Sequence, residues 1–240
     1  MLKWTIGVLC TAIASGLPGS VMAQTEVALE LVLAVDSSTS VTDEEFQLQH
    51  SGYVRAFYDK DVIDAIRALE PAGIAVTYVQ WSSHRYQVQT VRWTHVFDAA
   101  SSRAFADDIR NNSARLEGSS TAIGDAVIYS AGLFSNNGFT AARRVVDVSA
   151  DDRYNAGSAP SYARGIAIKN KVTVNGLAID ETGVLADYFR DNVIVGVGSF
   201  VTSANSFEDF SRAIKLKLLR ELESPAKLAE FTSHRSRQRR

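Results

Sequence analysis

Leu29-Glu30-Leu31-Val32-Leu33-Ala34-Val35 runs straight into Asp36-Ser37-Ser38-Thr39-Ser40. A nearly continuous apolar run of this length is the pattern of a strand covered on both faces, as in a parallel sheet. A cluster of small oxygen-bearing side chains immediately after it marks a loop at the strand's carboxyl end. Thr42-Asp43-Glu44-Glu45 then reads as a capping box, with Thr42 as N-cap and Glu45 three residues on. Phe46, His50, Tyr53, Val54 and Phe57 follow at helical spacing, and Ile63, Ile66 and Leu69 continue that pattern to Pro71.

Outward from this unit the chain alternates. Residues 74–81 and 87–97 read as two strands joined by Ser82-Ser83-His84-Arg85, close enough to pair as an antiparallel hairpin. Further strands are expected over 145–148, 172–179 and 193–197. Helices are expected over 98–109, 121–134, 161–169, 184–189 and 207–219, the last with Phe207, Phe210, Ile214 and Leu218 on one face. Strand–helix alternation with a single hairpin predicts an α/β domain: a doubly wound, mostly parallel six-stranded sheet with one antiparallel edge strand. Ligands of such sheets bind at the carboxyl ends of strands near the topological switch point. The loops after Val35, Val148 and Ile179 and the segment entering the helix at Thr121 are therefore the candidates.

Composition narrows the chemistry. The chain has 240 residues, 25 Lys plus Arg against 27 Asp plus Glu, and a formal charge of −2, which gives no global attraction to nucleic acid or anionic membrane. With one cysteine it holds no internal disulfide and no Cys/His zinc cluster. That cysteine, Cys10, lies in an apolar stretch behind Lys3 and ahead of Val21-Met22-Ala23, so residues 1–23 read as a secretory signal cut after Ala23. The expected mature protein is cysteine-free, periplasmic or secreted, without a stable membrane anchor. It comprises a domain over 24–222 and a basic tail over 223–240. Asn111-Asn112-Ser113 is a glycosylation sequon, relevant only in a eukaryotic secretory pathway.

Three segments carry the oxygen ligands: Asp36-Ser37-Ser38-Thr39-Ser40, Thr121-Ala122-Ile123-Gly124-Asp125-Ala126, and Val145-Val146-Asp147-Val148-Ser149-Ala150-Asp151-Asp152. Together they resemble the metal-ion-dependent adhesion site (MIDAS) of von Willebrand factor type A (vWA) domains, which pairs Asp-x-Ser-x-Ser with a Thr-x-x-Gly-x-Ala segment and an Asp after the fourth strand. The resemblance spans about Leu29 to Leu219 and implies Asp36, Ser38, Ser40, Thr121 and Asp151 as the metal-site residues. The family's usual Asp-Gly is Asp151-Asp152 here. Arg143–Ser149 and Ala213–Arg220 further resemble a branch of secreted proteobacterial proteins with this fold and no assigned function.

Hydroxyls and carboxylates are hard donors suited to Mg²⁺, Mn²⁺ or Ca²⁺. An open coordination position would favour a carboxylate from an unidentified protein partner. Asp152, Asp180 and Glu181 could line the rim, where they would repel an acidic ligand. The alternative is a Mg²⁺-dependent hydrolase using Asp36, although the second acid such phosphatases need two residues on is Ser38 here. His50, His84 and His95 have no Gly-x-Ser-x-Gly elbow to serve. Trp81 and Trp93 read as packing residues on the hairpin. No phosphate-cradling glycine loop or aromatic-interleaved basic patch points to nucleotide or nucleic acid.

Overall fold

The computed structural model describes residues 23–223 apart from 113 and 117. The expected leader with Cys10, the basic tail beyond Glu223 and Ser113 of the sequon lie outside the described residues. Along the chain run β1 (Thr25–Glu26), β2 (Leu29–Asp36), α1 (Asp43–Tyr58), α2 (Lys60–Arg67), β3 (Ile74–Trp81), β4 (Gln87–Val96), α3 (Ala99–Asn111) and α4 (Ile123–Gly132). They are followed by β5 (Phe139–Thr140), β6 (Arg144–Ala150), α5 (Pro160–Lys169), β7 (Thr173–Ile179), α6 (Val184–Asn192), β8 (Val201–Ala204) and α7 (Phe210–Leu222).

The main sheet has the order β4-β3-β2-β6-β7-β8, parallel throughout except for the edge strand β4. The expected architecture, a mostly parallel six-stranded sheet with one antiparallel edge strand, is therefore present, with five of the six strands where the sequence places them. β2 sits between β3 and β6, with Leu31 level with Val76 on one side and Val145 on the other. Strand order reverses across the β2–β6 pair, so the switch-point crevice opens above the carboxyl ends of those two strands.

All eight β2 residues are buried because helices cover both faces. Leu31, Leu33 and Val35 pack with Phe46, Tyr53 and Phe57 of α1, Phe105 of α3 and Ile214 of α7. Val32 and Ala34 face Ile123 and Ala126 of α4, Ala163 of α5 and Phe189 of α6. Thr42 caps α1 as expected, accepting from the Glu45 amide at 3.2 Å while its own amide donates to Glu45 Oε2 at 2.8 Å.

Four expectations are corrected. The helical pattern from Phe46 to Leu69 is two helices, because Asp59 adopts an extended backbone and its carboxylate accepts from the Asp61 amide at 2.9 Å, starting α2. The helix expected from Thr121 begins at Ile123, since Ala122 is held at φ −94°, ψ 62°. Residues 193–197 are not a strand: Gly196 and Gly198 have φ of +107° and +75°, and only an isolated bridge joins Val195 to Val174. The outer strand is instead β8, parallel to β7. The last helix runs from Phe210 rather than Phe207. Two short strands, β1 and β5, also pair parallel outside the main sheet.

The two signature-like segments, 143–149 and 213–220, meet on the α1/α7 face. Lys217 Nζ pairs with Asp147 Oδ1, both 1% exposed, and Asn175 donates to Glu221 Oε1. Arg143 donates to the Glu221 carbonyl at 2.9 Å. Burial, then the Asp147 carboxylate, pushes the Glu221 carboxyl up to about 8, against the opposing pull of Lys217, Arg143 and Asn175.

Candidate metal centre

β2 delivers Asp36 to the crevice at its last residue, fully buried beside Trp81 of β3. Asp36 Oδ1 accepts the Ser38 amide at 2.7 Å, which turns the chain sharply outward. Asp36 Oδ2 is buried and has no hydrogen-bond partner. Burial first, then the carboxylate of Asp151, holds the Asp36 carboxyl well above the usual range; the Ser38 bonds oppose this and Asp152 adds to it.

Above Asp36 the hydroxyls form a chain. Thr121 Oγ1 lies 3.5 Å from Ser38 Oγ, Ser38 Oγ 3.0 Å from Ser40 Oγ, and Ser40 Oγ donates to Asp151 Oδ1 at 2.8 Å. All five expected ligands thus converge from β2, the segment before α4, and the end of β6. Burial grades outward, from Asp36, Ser38 and Thr121 within to an exposed Ser40 and a half-buried Asp151. Burial raises the Asp151 carboxyl, with Asp152 and Glu45 adding to it and Ser40 opposing.

These donors fit a hard divalent ion. Oxygens in an octahedral shell of 2.0–2.1 Å radius stand about 2.9 Å apart along each edge, close to the Ser38–Ser40 and Ser40–Asp151 spacings of 3.0 and 2.8 Å and shorter than the 3.5 Å between Thr121 and Ser38. The orphaned Asp36 Oδ2 is the group such a cation would compensate. Among the described residues no three His, Cys, Asp or Glu side chains cluster as a metal cage, so the donor set is hydroxyl-rich.

Residues that sequence reading missed hold these donors in place. Asn155 accepts the Thr121 amide at Oδ1 (2.8 Å), and its own amide donates to the Thr121 carbonyl at 3.1 Å. Arg115 Nη2 donates to the carbonyls of Ser38 (2.7 Å), Ser37 (3.4 Å) and Val41, while Nη1 meets Asp43 Oδ1 at 2.6 Å. Gln49 Nε2 donates to the Asp36 carbonyl at 3.3 Å. Arg115 and Asn155 act from loops, where no periodicity announces them. Gly124 permits a close approach: a Cβ there would stand 2.1 Å from the Ser158 carbonyl oxygen, so its absence lets the loop after β6 close on α4.

The rim residues separate. Asp152 is exposed and accepts the Arg153 amide. Asp180 is committed to starting α6, accepting from the Thr182 and Leu185 amides at 2.9 and 2.8 Å. Glu181 is exposed. His50 packs on Phe46 and lies 3.4 Å from the Tyr78 hydroxyl, and burial lowers its pKa. His95 Nε2 reaches the Ala72 carbonyl at 2.8 Å. His84 Nδ1 pairs with Asp125 at 2.7 Å. Trp81 is core, and Trp93 donates to the Leu133 carbonyl at 3.1 Å.

Residues 26–226 match a family described as "Protein of unknown function (DUF1194)". No curated protein matches in sequence. Among solved structures, proximal thread matrix protein 1 from the mussel byssus, with a zinc-occupied MIDAS motif, is 18% identical with a TM-score of 0.61 over 81% of this chain and 48% of its own. The pilus adhesin SpaC from Lactobacillus rhamnosus GG is 14% identical with a TM-score of 0.56 over 84% of this chain and 31% of its own. The vWF domain of the type V pili tip protein Mfa5 from Porphyromonas gingivalis is 10% identical with a TM-score of 0.55, over 82% of this chain and 97% of that domain. The chain thus spans about half the length of the byssus protein.

Proposed function

The chain belongs to the DUF1194 family and carries a vWA-type fold, and on this footing we propose that it is a binding module that captures a carboxylate of a partner protein through a divalent cation. Asp36, Ser38, Ser40, Thr121 and Asp151 would hold the ion, and the bound ion would supply an electrophilic position facing solvent. One observation carries this reading: a fully buried carboxylate oxygen, Asp36 Oδ2, left without a hydrogen bond beneath a chain of hydroxyls. A carboxylate so placed is costly unless something positive completes it.

The chain's own residues divide the work. Asp36 and Asp151 bring negative charge from the ends of the paired strands β2 and β6; Ser38, Ser40 and Thr121 add neutral oxygens that leave the ion incompletely neutralised, and so attractive to an anionic oxygen. Arg115, Asn155 and Gln49 fix the loops before the ion arrives. We assign the ion to Mg²⁺, Mn²⁺ or Ca²⁺ because the donors are all oxygen. A secreted or periplasmic location accords with the reading of residues 1–23 as a leader and with relatives that include a pilus adhesin and a byssus matrix protein. No helix among the described residues is long and apolar enough to cross a membrane.

Calorimetric titration of Mg²⁺, Mn²⁺, Ca²⁺ and Zn²⁺ into wild type and Asp36→Ala tests the assignment. Saturable heat for an oxygen-preferring ion in the wild type alone is the expected result. Equal, negligible heats for both proteins would sink the metal site. Metal-dependent turnover of p-nitrophenyl phosphate, lost in Asp36→Ala, would replace the binding module by a hydrolase.

A further inference from the structure

Beside the loop that carries Ser38 and Ser40 opens a cleft of about 540 Å³, lined by Thr39, Asp43, Ser83, Tyr86, Arg115 and Ser119. Its hydroxyls are largely occupied with one another's loops: Thr39 donates to the Ser119 carbonyl at 3.3 Å, and Ser83 Oγ accepts the Ser119 amide at 2.8 Å. The Arg115 side chain is 17% exposed, and its guanidinium is divided among three carbonyls and Asp43. What remains open to a guest is the rest of the Asp43 side chain, 82% exposed with Oδ1 already paired to Arg115, and Tyr86, 50% exposed. A carboxylate beside an aromatic face is complementary to a cation, which gains an ion pair and a cation–π contact together.

The surroundings carry both signs, with more exposed acids than bases. Exposed Glu44 follows Asp43, and Asp152 and Glu181 stand exposed on loops at the same end of the sheet. Against them stand Arg85 at the hairpin tip and Arg153, whose guanidinium lies 5.6 Å from the centre of the Tyr188 ring. A ligand bearing only negative charge meets this rim unfavourably, although the metal site favours a carboxylate. A segment carrying both signs satisfies both.

Building on the metal reading of the adjacent site, we propose that the partner is recognised at two points: an acidic side chain at the metal, and a Lys or Arg side chain a few residues away, seated in the cleft between Asp43 and Tyr86. Thr39, flanked by Ser38 and Ser40, forms the wall shared by the two points. Asp43 selects the charge of the second side chain and Tyr86 its flat or extended shape.

The probes are fluorescein-labelled peptides with one Asp and one Lys placed two, three or four residues away, together with matched Lys→Gln and Lys→Glu versions. Each is titrated by fluorescence anisotropy into the mature chain with Mn²⁺ and with EDTA, using wild type, Asp43→Asn and Tyr86→Leu. Asparagine still accepts from Arg115, so the loop keeps its anchor. In at least one spacing the Lys peptide is expected to bind wild type fivefold or more tightly than the Gln peptide. The Glu peptide should be weakest, and the preference should shrink in 0.5 M salt. Asp43→Asn should erase the preference and Tyr86→Leu should reduce it, with Mn²⁺ binding by calorimetry unchanged in both. Normal Mn²⁺ binding without any Lys preference overturns two-point recognition and leaves the metal site standing, as does a preference that survives both substitutions. Absence of Mn²⁺ heat in the wild type overturns the metal reading itself, and this inference with it.

Discussion

Asp36 is asked to do two things with one carboxylate. Its Oδ1 fixes the turn by accepting the Ser38 amide, and its Oδ2 is buried with nothing to accept from. Asparagine at this position keeps the turn and removes the charge. Without metal, Asp36→Asn should therefore be at least as stable as the wild type, by up to about 1–3 kcal/mol, while added Mn²⁺ should raise the melting temperature of the wild type only. A metal-free variant that melts well below the wild type would mean that the carboxylate is compensated without an ion. Asn155 is the complementary case, because it touches the Thr121 backbone on both sides. Asn155→Ala should weaken metal binding about tenfold, the scale typical of residues that orient ligands, with little change in fold by circular dichroism. Asp36, Ser38 and Ser40 were legible because a short polar motif ends an apolar run. Asn155 and Arg115 were not, since their partners lie 34 and 77 residues away in the chain.

At the scale of elements, what could be read was local and what could not was tertiary. The Thr42–Glu45 capping box is a four-residue signal and it starts α1 as written. The break at Asp59 was invisible because apolar spacing continues across it. The outer strand was misplaced because 193–197 is apolar, yet it is interrupted by a glycine in a left-handed conformation, while β8 is only four residues long. Helix α4 is tied to the site through Gly124. Gly124→Ala should cost about 1–3 kcal/mol by overpacking against the Ser158 carbonyl, and should lower metal affinity by displacing the loop that follows Asp151; denaturant melts and calorimetry read the two effects. Helix α7 carries a pH dependence. Glu221 keeps its proton up to about 8 in the folded protein and releases it near 4.5 when unfolded. Its contribution is whole below pH 4.5, declines as pH rises towards 8 because only the folded state still holds the proton, and is absent above that. Urea midpoints between pH 5 and 8.5 should thus fall less steeply in Glu221→Gln than in the wild type; identical slopes would refute the assignment. Lys217→Met, which strands Asp147 without its cation, should cost about 3–5 kcal/mol.

For the molecule as a whole, the candidate ligands come from positions 36–40, 121 and 151, three regions that only folding brings together. An ion that binds the folded chain alone should stabilise all of it, by about 2.7 kcal/mol at one hundred times its dissociation constant, so every region should show the same shift in a thermal melt. The mostly parallel character of the sheet was legible because alternation of strands and helices leaves few arrangements. The meeting of 143–149 with 213–220 was not, because nothing in either segment names the other. The ordered hydroxyl chain has a further consequence, in time rather than in energy. The Ser38, Ser40 and Asp151 oxygens, already spaced close to an octahedral edge, have little left to rearrange, so the slow step of loading should be the ion shedding its own water. Mg²⁺, the most reluctant to dehydrate, should then load more slowly than Mn²⁺ or Ca²⁺ in stopped-flow fluorescence, whatever the order of their final affinities.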